Sequence, residues 1–322
     1  MNTSVSFIAP VQEELRAVEA LMRSQADGCH PDLAAALNLL INAGGKRIRP
    51  ALTILAGKMF GAQTEKLISL AAAIEMLHTA TLVHDDLIDG SLLRRGMPTL
   101  NSKWSPGATV LTGDFMFSRA AKMAADTDSV PVMKLFSNTL TTIVNGEIAQ
   151  LLGSRCKADR AAYDKRIYAK TASLFETSAC SAALVSEVDP EKTEAMRRFG
   201  YEIGMAFQIV DDILDYTGEQ ATIGKPVGSD LRQGIVTLPA LIYAENHPGD
   251  PLAAALTEGK CLDDSQITSL VNAIREGGAI HKSHEIATAY VEQGLANLRK
   301  IPPAPERYAL EDLAAYIVER NF

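Results

Sequence analysis

Cysteine and tryptophan are scarce in this chain of 322 residues, which contains four cysteines and a single tryptophan. Cys29, Cys156, Cys180 and Cys261 form no CxxC pair and no Cys/His cluster with the spacing of a zinc site. This scarcity excludes a zinc module built on cysteine. The expected state of all four cysteines is a reduced thiol in a cytoplasmic protein.

Long apolar runs and an excess of basic charge are also missing. The N-terminus, MNTSVSFIAPVQEEL, has no basic segment followed by an apolar one, so a signal peptide is not expected. No stretch reaches the ~18 apolar residues typical of a membrane span, which predicts a soluble protein without stable membrane insertion. The formal net charge of −8 argues against nucleic acid as a partner, because nucleic acid binding needs a basic surface.

Helical periodicity is the dominant pattern in what the sequence does contain. Apolar residues at helical spacing occur from Val11 to Leu21, after Pro31, and from about Lys66 to Ile88. Similar patterns predict helices near 107–125, 131–152, 160–187, 190–217, 236–245, 263–275, 281–299 and 308–319. Neither a strand series nor an interdomain linker is visible, so the prediction is an all-α protein with one domain over residues 1–322.

Two aspartate-rich motifs give the most specific functional signal. Each is a DDxxD set in apolar sequence, and a chance DDxxD occurs only about 0.07 times in a chain of this length. The motifs are LVHDDLIDG, with Asp85, Asp86 and Asp89, and QIVDDILDY, with Asp211, Asp212 and Asp215.

The spacing within each motif predicts a metal site. The first and fifth aspartates, Asp85 with Asp89 and Asp211 with Asp215, are four residues apart and share one helical face. Two carboxylates this close repel each other unless a cation lies between them. Oxygen ligands favour Mg²⁺, which commonly combines one or two carboxylates with substrate phosphates.

Basic residues accompany the acidic motifs and predict anion binding. GGKRIRP places Lys46, Arg47 and Arg49 at the start of a helix, where backbone N–H groups also attract anions. LLRRG follows the first acidic motif directly with Arg94 and Arg95. The pattern is typical of a site for two anions, although Arg47 is interpreted as a solvated surface charge.

Together these motifs resemble the trans-type prenyl diphosphate synthase, or polyprenyl synthetase, family. The resemblance runs from GGKRIRP to the C-terminal YIVERNF. Between them it includes EMLHTATLVHDDLIDGSLLRRGMPT, the GD of LTGDFMFSRA, NGEIAQL, YAKTASLF, GMAFQIVDDILDYTG and GKPVGSDLRQGIVTLP. It implies many helices around a central cavity, usually in a homodimer, and condensation of isopentenyl diphosphate onto an allylic diphosphate with the help of Mg²⁺.

The resemblance also implies roles for individual residues. The leading Mg²⁺ ligands are expected to be Asp85, Asp89 and Asp211, with Asp86, Asp212 and Asp215 in support. The residues that match isopentenyl diphosphate positions are Lys46, Arg49, His78 and Arg95. Those that match positions around the allylic diphosphate are Arg94, Lys170, Thr171, Gln208 and Lys225.

Three of these positions carry further expectations. Arg94 and Lys170 are expected to act in catalysis by stabilising charge on the leaving diphosphate. His78 lies two turns before Asp85 on the same helical face, which favours a substrate contact over a core role. His84, next to the motif, is interpreted as structural. One departure from the family is Ile235 in QGIVTLP, where many relatives carry a lysine, and this puts one phosphate contact in doubt.

Small residues before the first motif bear on product length. The growing chain is expected to pass Ala80 and Thr81, about one turn before Asp85, and then Leu77. Short-chain relatives often place an aromatic residue here. Small side chains therefore favour a long-chain product of about six to ten isoprene units, given that one unit is nearly as long as one helical turn.

Four alternatives stay open at this point. A short-chain farnesyl or geranylgeranyl diphosphate synthase would share every motif. A class I terpene cyclase normally has a different second metal motif and does not need a second diphosphate site. A non-catalytic subunit of a two-component synthase usually loses the aspartates, and a purely structural helical bundle has no use for duplicated acidic motifs.

Overall fold

Helices form almost all of the regular structure in residues 6–42, 45–94, 96–218 and 227–320, the part of the chain that the computed structural model describes. The first are α1 (Gln12–Ser24), α2 (Pro31–Asn42), α3 (Ile48–Met59), α4 (Thr64–Ile88) and α5 (Pro106–Ala125). They are followed by α6 (Val130–Leu152), α7 (Arg160–Ile167), α8 (Ser173–Val185), α9 (Pro190–Thr217) and α10 (Ser229–Arg232). The last are α11 (Leu238–Asn246), α12 (Pro251–Thr257), α13 (Asp264–Glu276), α14 (Ala279–Leu298) and α15 (Pro305–Glu319). The all-α prediction is confirmed.

Departures from regular α-helix are short. Short 3₁₀-helices cover Ser6–Val11 and Leu100–Ser102. The strands β1 (Leu93–Arg94) and β2 (Met97–Pro98) form an antiparallel hairpin after α4 that the sequence pattern did not predict. The predicted helix over 160–187 is interrupted by one π-helical turn, Tyr168–Ala172.

Side-chain caps explain where several helices begin. The Ser105 hydroxyl accepts a hydrogen bond from the Ala108 N–H at the start of α5, and the Asp159 carboxylate accepts one from Ala162 at the start of α7. Asp263 and Gln266 form a reciprocal capping box at α13. These bonds satisfy N–H groups that the first helical turn leaves without an intrahelical acceptor.

The contacts within the chain define two compact units, each assembled from separate stretches of sequence. The first unit comprises residues 1–139, 176–200 and 297–313, and the second comprises 140–175, 201–296 and 314–322. The prediction of a single domain over residues 1–322 stays a prediction.

Helix α4 is the core of the first unit. It packs against α1, α3 and α5, and most of its residues from Leu67 to Ala80 are fully buried. Small side chains allow these contacts: a Cβ on Gly57 of α3 would lie 2.1 Å from Leu67, and one on Gly113 of α5 would lie 2.1 Å from His84. His84 therefore packs against α5, which confirms its structural interpretation.

By length and composition alone, the same helix is long and apolar enough to span a membrane, contrary to the expectation that no stretch of the sequence would be. Within the described residues it is the one such helix. However, 72% of its most apolar window is buried inside the protein, as in the core helix of a soluble protein.

Arg47 is a structural residue, and its interpretation as a solvated surface charge is wrong. Its guanidinium donates to Glu75 at 2.8 Å, to Glu19 at 3.0 Å and to the Ile41 carbonyl at 2.6 Å, and the side chain is 11% exposed. Burial alone would lower its pKa, but the two carboxylates outweigh that effect and raise it. Because both acidic partners are distant in sequence, local spacing gave no sign of the cluster.

In the second unit, the π-helical turn Tyr168–Ala172 is packed closely by two glycines. A Cβ on Gly146 of α6 would lie 2.4 Å from the Ala169 Cβ. A Cβ on Gly204 of α9 would lie 2.6 Å from the Ala172 Cα and 2.9 Å from the Phe175 Cβ. Glycine at these positions lets α6 and α9 approach the backbone of the turn that carries Lys170 and Thr171.

A disulfide joins Cys156 to Cys261 in the same unit, and the expectation of four reduced thiols is wrong for this pair. The two cysteines are separated by 105 residues in sequence, so no spacing motif revealed them. Cys29 and Cys180 are free, and burial raises the pKa of the Cys180 thiol to about 12.

Gly204→Ala is expected to destabilise the protein by about 1–3 kcal/mol, because backbone atoms of the π-helical turn leave no room for the added methyl group. Thermal or urea unfolding measures this. Gly249→Ala is the matched control, since a Cβ at Gly249 meets nothing within 4 Å. Equal stability of the two variants would contradict the close approach.

Removing the disulfide with Cys156→Ser is expected to cost about 2–4 kcal/mol, because it releases a long loop in the unfolded chain. Urea unfolding with and without a thiol reductant gives the measurement. Reductant should weaken the wild type and leave Cys156→Ser unchanged, and Cys29→Ser should behave like the wild type. A wild-type unfolding midpoint that stays the same with and without reductant would contradict the disulfide.

Candidate active site

The first acidic motif lies at the C-terminal end of α4, where its three aspartates have different surroundings. Asp89 is exposed and caps the helix, Asp85 is partly exposed, and Asp86 is buried at 7% exposure. The Asp86 carboxylate accepts a hydrogen bond from the Arg94 Nε at 2.8 Å, and its backbone carbonyl accepts one from the Asn101 amide. The middle aspartate is thus held by the protein, while the first and fifth are more accessible.

The second acidic motif repeats this division near the end of α9. Asp211 and Asp215 are partly exposed, whereas Asp212 is buried at 3% exposure. The Asp215 carboxylate accepts hydrogen bonds from the backbone N–H groups of Ser229 and Asp230, at 3.1 and 3.2 Å. Asp215 therefore anchors the start of α10 as well as belonging to the acidic motif.

Asp212 is bonded through both of its carboxylate oxygens. The Tyr163 hydroxyl donates to Oδ2 at 2.7 Å, and the Gln208 amide donates to Oδ1 at 2.9 Å. Burial, together with the Asp230 carboxylate, raises the pKa of Asp212 to about 8, even though the bonds from Gln208 and Tyr163 act to lower it. Burial also raises the pKa of Tyr163 well above its ordinary value, so the phenol stays protonated and can donate.

Two residues predicted to lie near the allylic diphosphate are close to this hydrogen-bond network. Thr171 belongs to it, and Lys170 is the neighbour of Thr171 in sequence. The Thr171 hydroxyl donates to the Gln208 amide oxygen at 2.6 Å, which fixes the orientation of that amide. Lys170, on the same π-helical turn, forms an ion pair with Glu147 of α6 at 3.3 Å. Single π-turns inside helices are frequent at functional sites, and here the turn carries both residues.

Arg320, close to the C-terminus, contacts the second motif from the same unit. Its guanidinium lies 2.8 Å from the Asp211 carboxylate and donates to the Phe207 carbonyl at 2.7 Å. It also stacks on the Phe207 ring, 3.8 Å from the ring centroid. A buried arginine therefore provides a counter-charge for the first aspartate of this motif.

The other predicted site residues lie as follows in the first unit. Lys46 is exposed, and Arg49 and His78 are partly exposed. Of the predicted chain-length residues, Leu77 and Ala80 are fully buried and Thr81 is partly exposed. Arg95 and Lys225 lie outside the described residues.

The donor chemistry of both motifs fits Mg²⁺. In the described part of the chain, no group of three or more His, Cys, Asp or Glu side chains forms a complete metal site. Each motif instead offers two carboxylates, one helical turn apart, that are more exposed than the middle one. Magnesium typically takes one or two carboxylates and completes its shell with water and substrate phosphates, so the residues present are suitable ligands when a phosphorylated substrate supplies the rest.

Sequence reasoning missed Tyr163, Glu147 and Arg320. The Tyr163 contact joins residues 49 positions apart, and the Arg320 contacts reach back more than 100 positions, so helical spacing has no access to them. All three lie in or next to segments that carry the family resemblance, namely YAKTASLF, NGEIAQL and YIVERNF. Their closeness to these segments was the signal in the sequence that could have pointed to the three residues.

Comparison with known proteins gives consistent results over the whole chain. The profile of the Polyprenyl synthetase family matches residues 30–274. An all-trans-nonaprenyl-diphosphate synthase (geranyl-diphosphate specific) of Rhodobacter capsulatus is 36% identical, with 98% of this chain and 97% of that protein covered. Heptaprenyl diphosphate synthase component 2 of Geobacillus stearothermophilus is 35% identical over 100% of this chain and 99% of its own length.

Among solved structures, a polyprenyl synthase from Caulobacter crescentus CB15, complexed with calcium and isoprenyl diphosphate, superposes with a TM-score of 0.90. It is 34% identical and the match covers 99% of both chains. The match of the family profile, the identity over full length and the shared fold agree with the two DDxxD motifs. The chain therefore belongs to the polyprenyl synthetase family.

Proposed function

We propose that this chain is a long-chain trans-polyprenyl diphosphate synthase. It condenses isopentenyl diphosphate head-to-tail onto an allylic diphosphate, releases inorganic diphosphate and extends an all-trans prenyl chain. The observation that carries the proposal is the shared geometry of the two DDxxD motifs. In each, the protein binds the middle aspartate, and the first and fifth carboxylates are more accessible.

The relatives support a metal-dependent, long-chain reaction. The Rhodobacter and Geobacillus proteins are named for nonaprenyl and heptaprenyl products, and the Caulobacter structure holds calcium and isoprenyl diphosphate. Transferred to this chain, these names indicate a divalent metal and a long product. Magnesium is the proposed ion because all the candidate ligands are carboxylate oxygens.

The allylic diphosphate is the substrate that loses its leaving group. Asp85, Asp89 and Asp211 are the residues that would hold Mg²⁺, and the ion would offset the charge on that group. Lys170 and Arg94 add positive charge near the departing oxygen, with Lys225 in the same role. Asp86, Asp212 and Asp215 support this arrangement by orienting the motifs and the segments that follow them.

The allylic cation left behind must be protected from water. Apolar side chains flank the second motif, and Ile209, Val210 and Ile213 are all at most 6% exposed. Thr171 and Gln208 supply oxygen dipoles near the cation. The double bond of isopentenyl diphosphate then attacks the cation, and the departing diphosphate accepts the proton that is lost.

Isopentenyl diphosphate needs a separate anion site without acidic ligands. Lys46 and Arg49 lie at the start of α3, whose backbone N–H groups point toward an anion at that end. His78 on α4 and Arg95 complete the proposed set. This site would hold the second diphosphate through basic side chains and backbone N–H groups, without a carboxylate.

A homodimer is the proposed assembly, and α6 supplies the supporting surface. Val144, Ile148, Leu151 and Leu152 are 45–79% exposed and follow one another at helical spacing along one face. Such a row of exposed apolar side chains is costly in water and is suited to pairing with the same helix of a second copy.

The proposed compartment is the cytoplasm. The burial of α4 within the protein supports a soluble enzyme. The disulfide between Cys156 and Cys261 is the opposing observation, because disulfides are rare in the cytosol. Alkylation of free thiols in cells before lysis tests the point: protected cysteines would argue against this compartment.

A second candidate is one subunit of a two-component synthase, favoured by the name of the Geobacillus relative. Purified chain is incubated with labelled isopentenyl diphosphate and allylic primers of several lengths, and the products are sized by chromatography. Long products from the chain alone support the single-component synthase. Short products support the short-chain alternative, and activity that requires a second protein supports the two-component one.

Asp85→Ala and Asp211→Ala are each expected to lower turnover on the order of a thousandfold, because each removes a carboxylate whose metal interaction is worth several kcal/mol. Steady-state rates over a range of Mg²⁺ concentrations measure the loss. Asp126→Ala is the control, since Asp126 forms an exposed ion pair with Lys122 and belongs to neither motif. Near-normal turnover in either motif variant would contradict the assignment of the metal ligands.

Ala80→Phe is expected to shorten the products to about three or four isoprene units, because Ala80 lies about 7.5 Å along the helix from Asp85 and a packed wall cannot accommodate a ring. Mass spectrometry of the products gives the measurement, and Ala80→Val should have a smaller effect. Leu77→Ala, deeper on the same helix, should lengthen them. An active Ala80→Phe enzyme with unchanged product lengths would show that the chain grows along another helix.

A further inference from the structure

Tyr163 on α7 is a fully buried tyrosine whose hydroxyl reaches the second acidic motif. It is 1% exposed, and its Oη lies 2.7 Å from the Asp212 Oδ2. Neither the charged residues of the motif nor the substrate-binding positions include it. Phenylalanine would fill the same space without a hydroxyl. The hydrogen bond to the carboxylate is therefore what distinguishes tyrosine at this position.

The position of the Tyr163 ring is determined by other contacts. Its backbone N–H donates to the Asp159 carbonyl, in the first turn of α7. The Arg166 guanidinium lies 5.4 Å from its ring centroid and itself donates to the Val236 carbonyl at 2.7 Å. The hydroxyl is therefore presented to Asp212 from a fixed ring.

The second oxygen of Asp212 is held in a similar way. Gln208 donates to Oδ1 at 2.9 Å, and Thr171 orients the Gln208 amide by donating to its oxygen at 2.6 Å. With one donor on each oxygen, the carboxylate has a defined direction, into the protein.

Helical geometry relates the direction of the Asp212 side chain to the directions of the other two aspartates. At 100° per residue, Asp211 lies 100° to one side of Asp212, and Asp215 lies about 60° to the same side. When Asp212 points into the protein, both of the others are turned away from it. A displaced Asp212 would disturb the backbone from which they project or would compete for the same cation.

We propose that Tyr163 is a positioning residue of the second aspartate motif, which keeps Asp212 turned inward and so leaves Asp211 as the proposed metal ligand and Asp215 as the anchor of α10. This inference rests on the proposed function of the site. It assigns the residue no contact with substrate or metal.

The chain offers a matched control for the loss of a tyrosine hydroxyl. Tyr243 on α11 donates to the Asp250 carboxylate at 2.6 Å, in the same unit but away from the acidic motif. Tyr163→Phe and Tyr243→Phe each remove one hydroxyl bonded to one aspartate. A purely structural effect should appear in both variants, and a positioning effect in Tyr163→Phe alone.

The experiment measures binding as well as activity. Inorganic diphosphate is titrated into the full-length protein by calorimetry with Mg²⁺ and with EDTA, and the component of binding that needs Mg²⁺ is compared. Tyr163→Phe should weaken that component about tenfold, the effect of losing one buried hydrogen bond. KM for isopentenyl diphosphate should change less than twofold, and Tyr243→Phe should match the wild type in both measurements.

A second pair of variants shows whether Tyr163 acts through Asp212. It also keeps the test informative if the Tyr163→Phe single variant folds poorly. In an Asp212→Asn background the carboxyl group that Tyr163 holds is absent, so adding Tyr163→Phe should change Mg²⁺-dependent binding less than threefold. A tenfold loss in that background, or wild-type binding in folded Tyr163→Phe, would overturn the proposal. A wild-type chain that binds Mg²⁺ and diphosphate without transferring a prenyl group would refute the proposed function instead and leave this comparison valid.

Discussion

Two adjacent aspartates on one helix cannot point the same way, and the candidate site depends on this constraint. At 100° per residue, the middle aspartate of DDxxD is rotated away from the pair formed by the first and fifth. In apolar surroundings the odd carboxylate turns into the protein, where it needs a hydrogen-bond partner. Arg94 fills that need for Asp86, and Tyr163 with Gln208 fills it for Asp212.

The partners differ because they come from different kinds of structure. Arg94 belongs to a short exposed hairpin directly after the motif, where a long charged side chain can remain partly in water. Tyr163 and Thr171 belong to the α7–α8 segment, whose π-helical turn is packed by Gly146 and Gly204. In that buried environment the Asp212 carboxyl group accepts hydrogen bonds from neutral donors, and burial raises its pKa to about 8.

The features that could be predicted from the sequence are those that depend on local spacing. The bounds of α9 agree with the predicted 190–217, and the i, i+4 relation of Asp85 to Asp89 was readable in the same way. Contacts between distant segments were not readable. Arg47 was taken for a surface charge because Glu19 and Glu75 are each 28 positions away, and the disulfide of Cys156 was missed because its partner is 105 positions away. Periodicity records which face of a helix is buried and not what lies against it.

Each acidic motif also holds the segment that follows it, so its aspartates have two physical roles. Asp86 binds Arg94 in the hairpin, and Asp215 accepts the backbone N–H groups that begin α10. The segments just after the motifs carry basic residues assigned to diphosphate binding, Arg94 among them. A carboxylate that anchors such a segment therefore influences the positions of cations as well as the metal. Replacing it with alanine removes both effects together, whereas asparagine keeps an acceptor for the backbone and removes the charge. Comparing the two substitutions at Asp215 thus separates anchoring from charge.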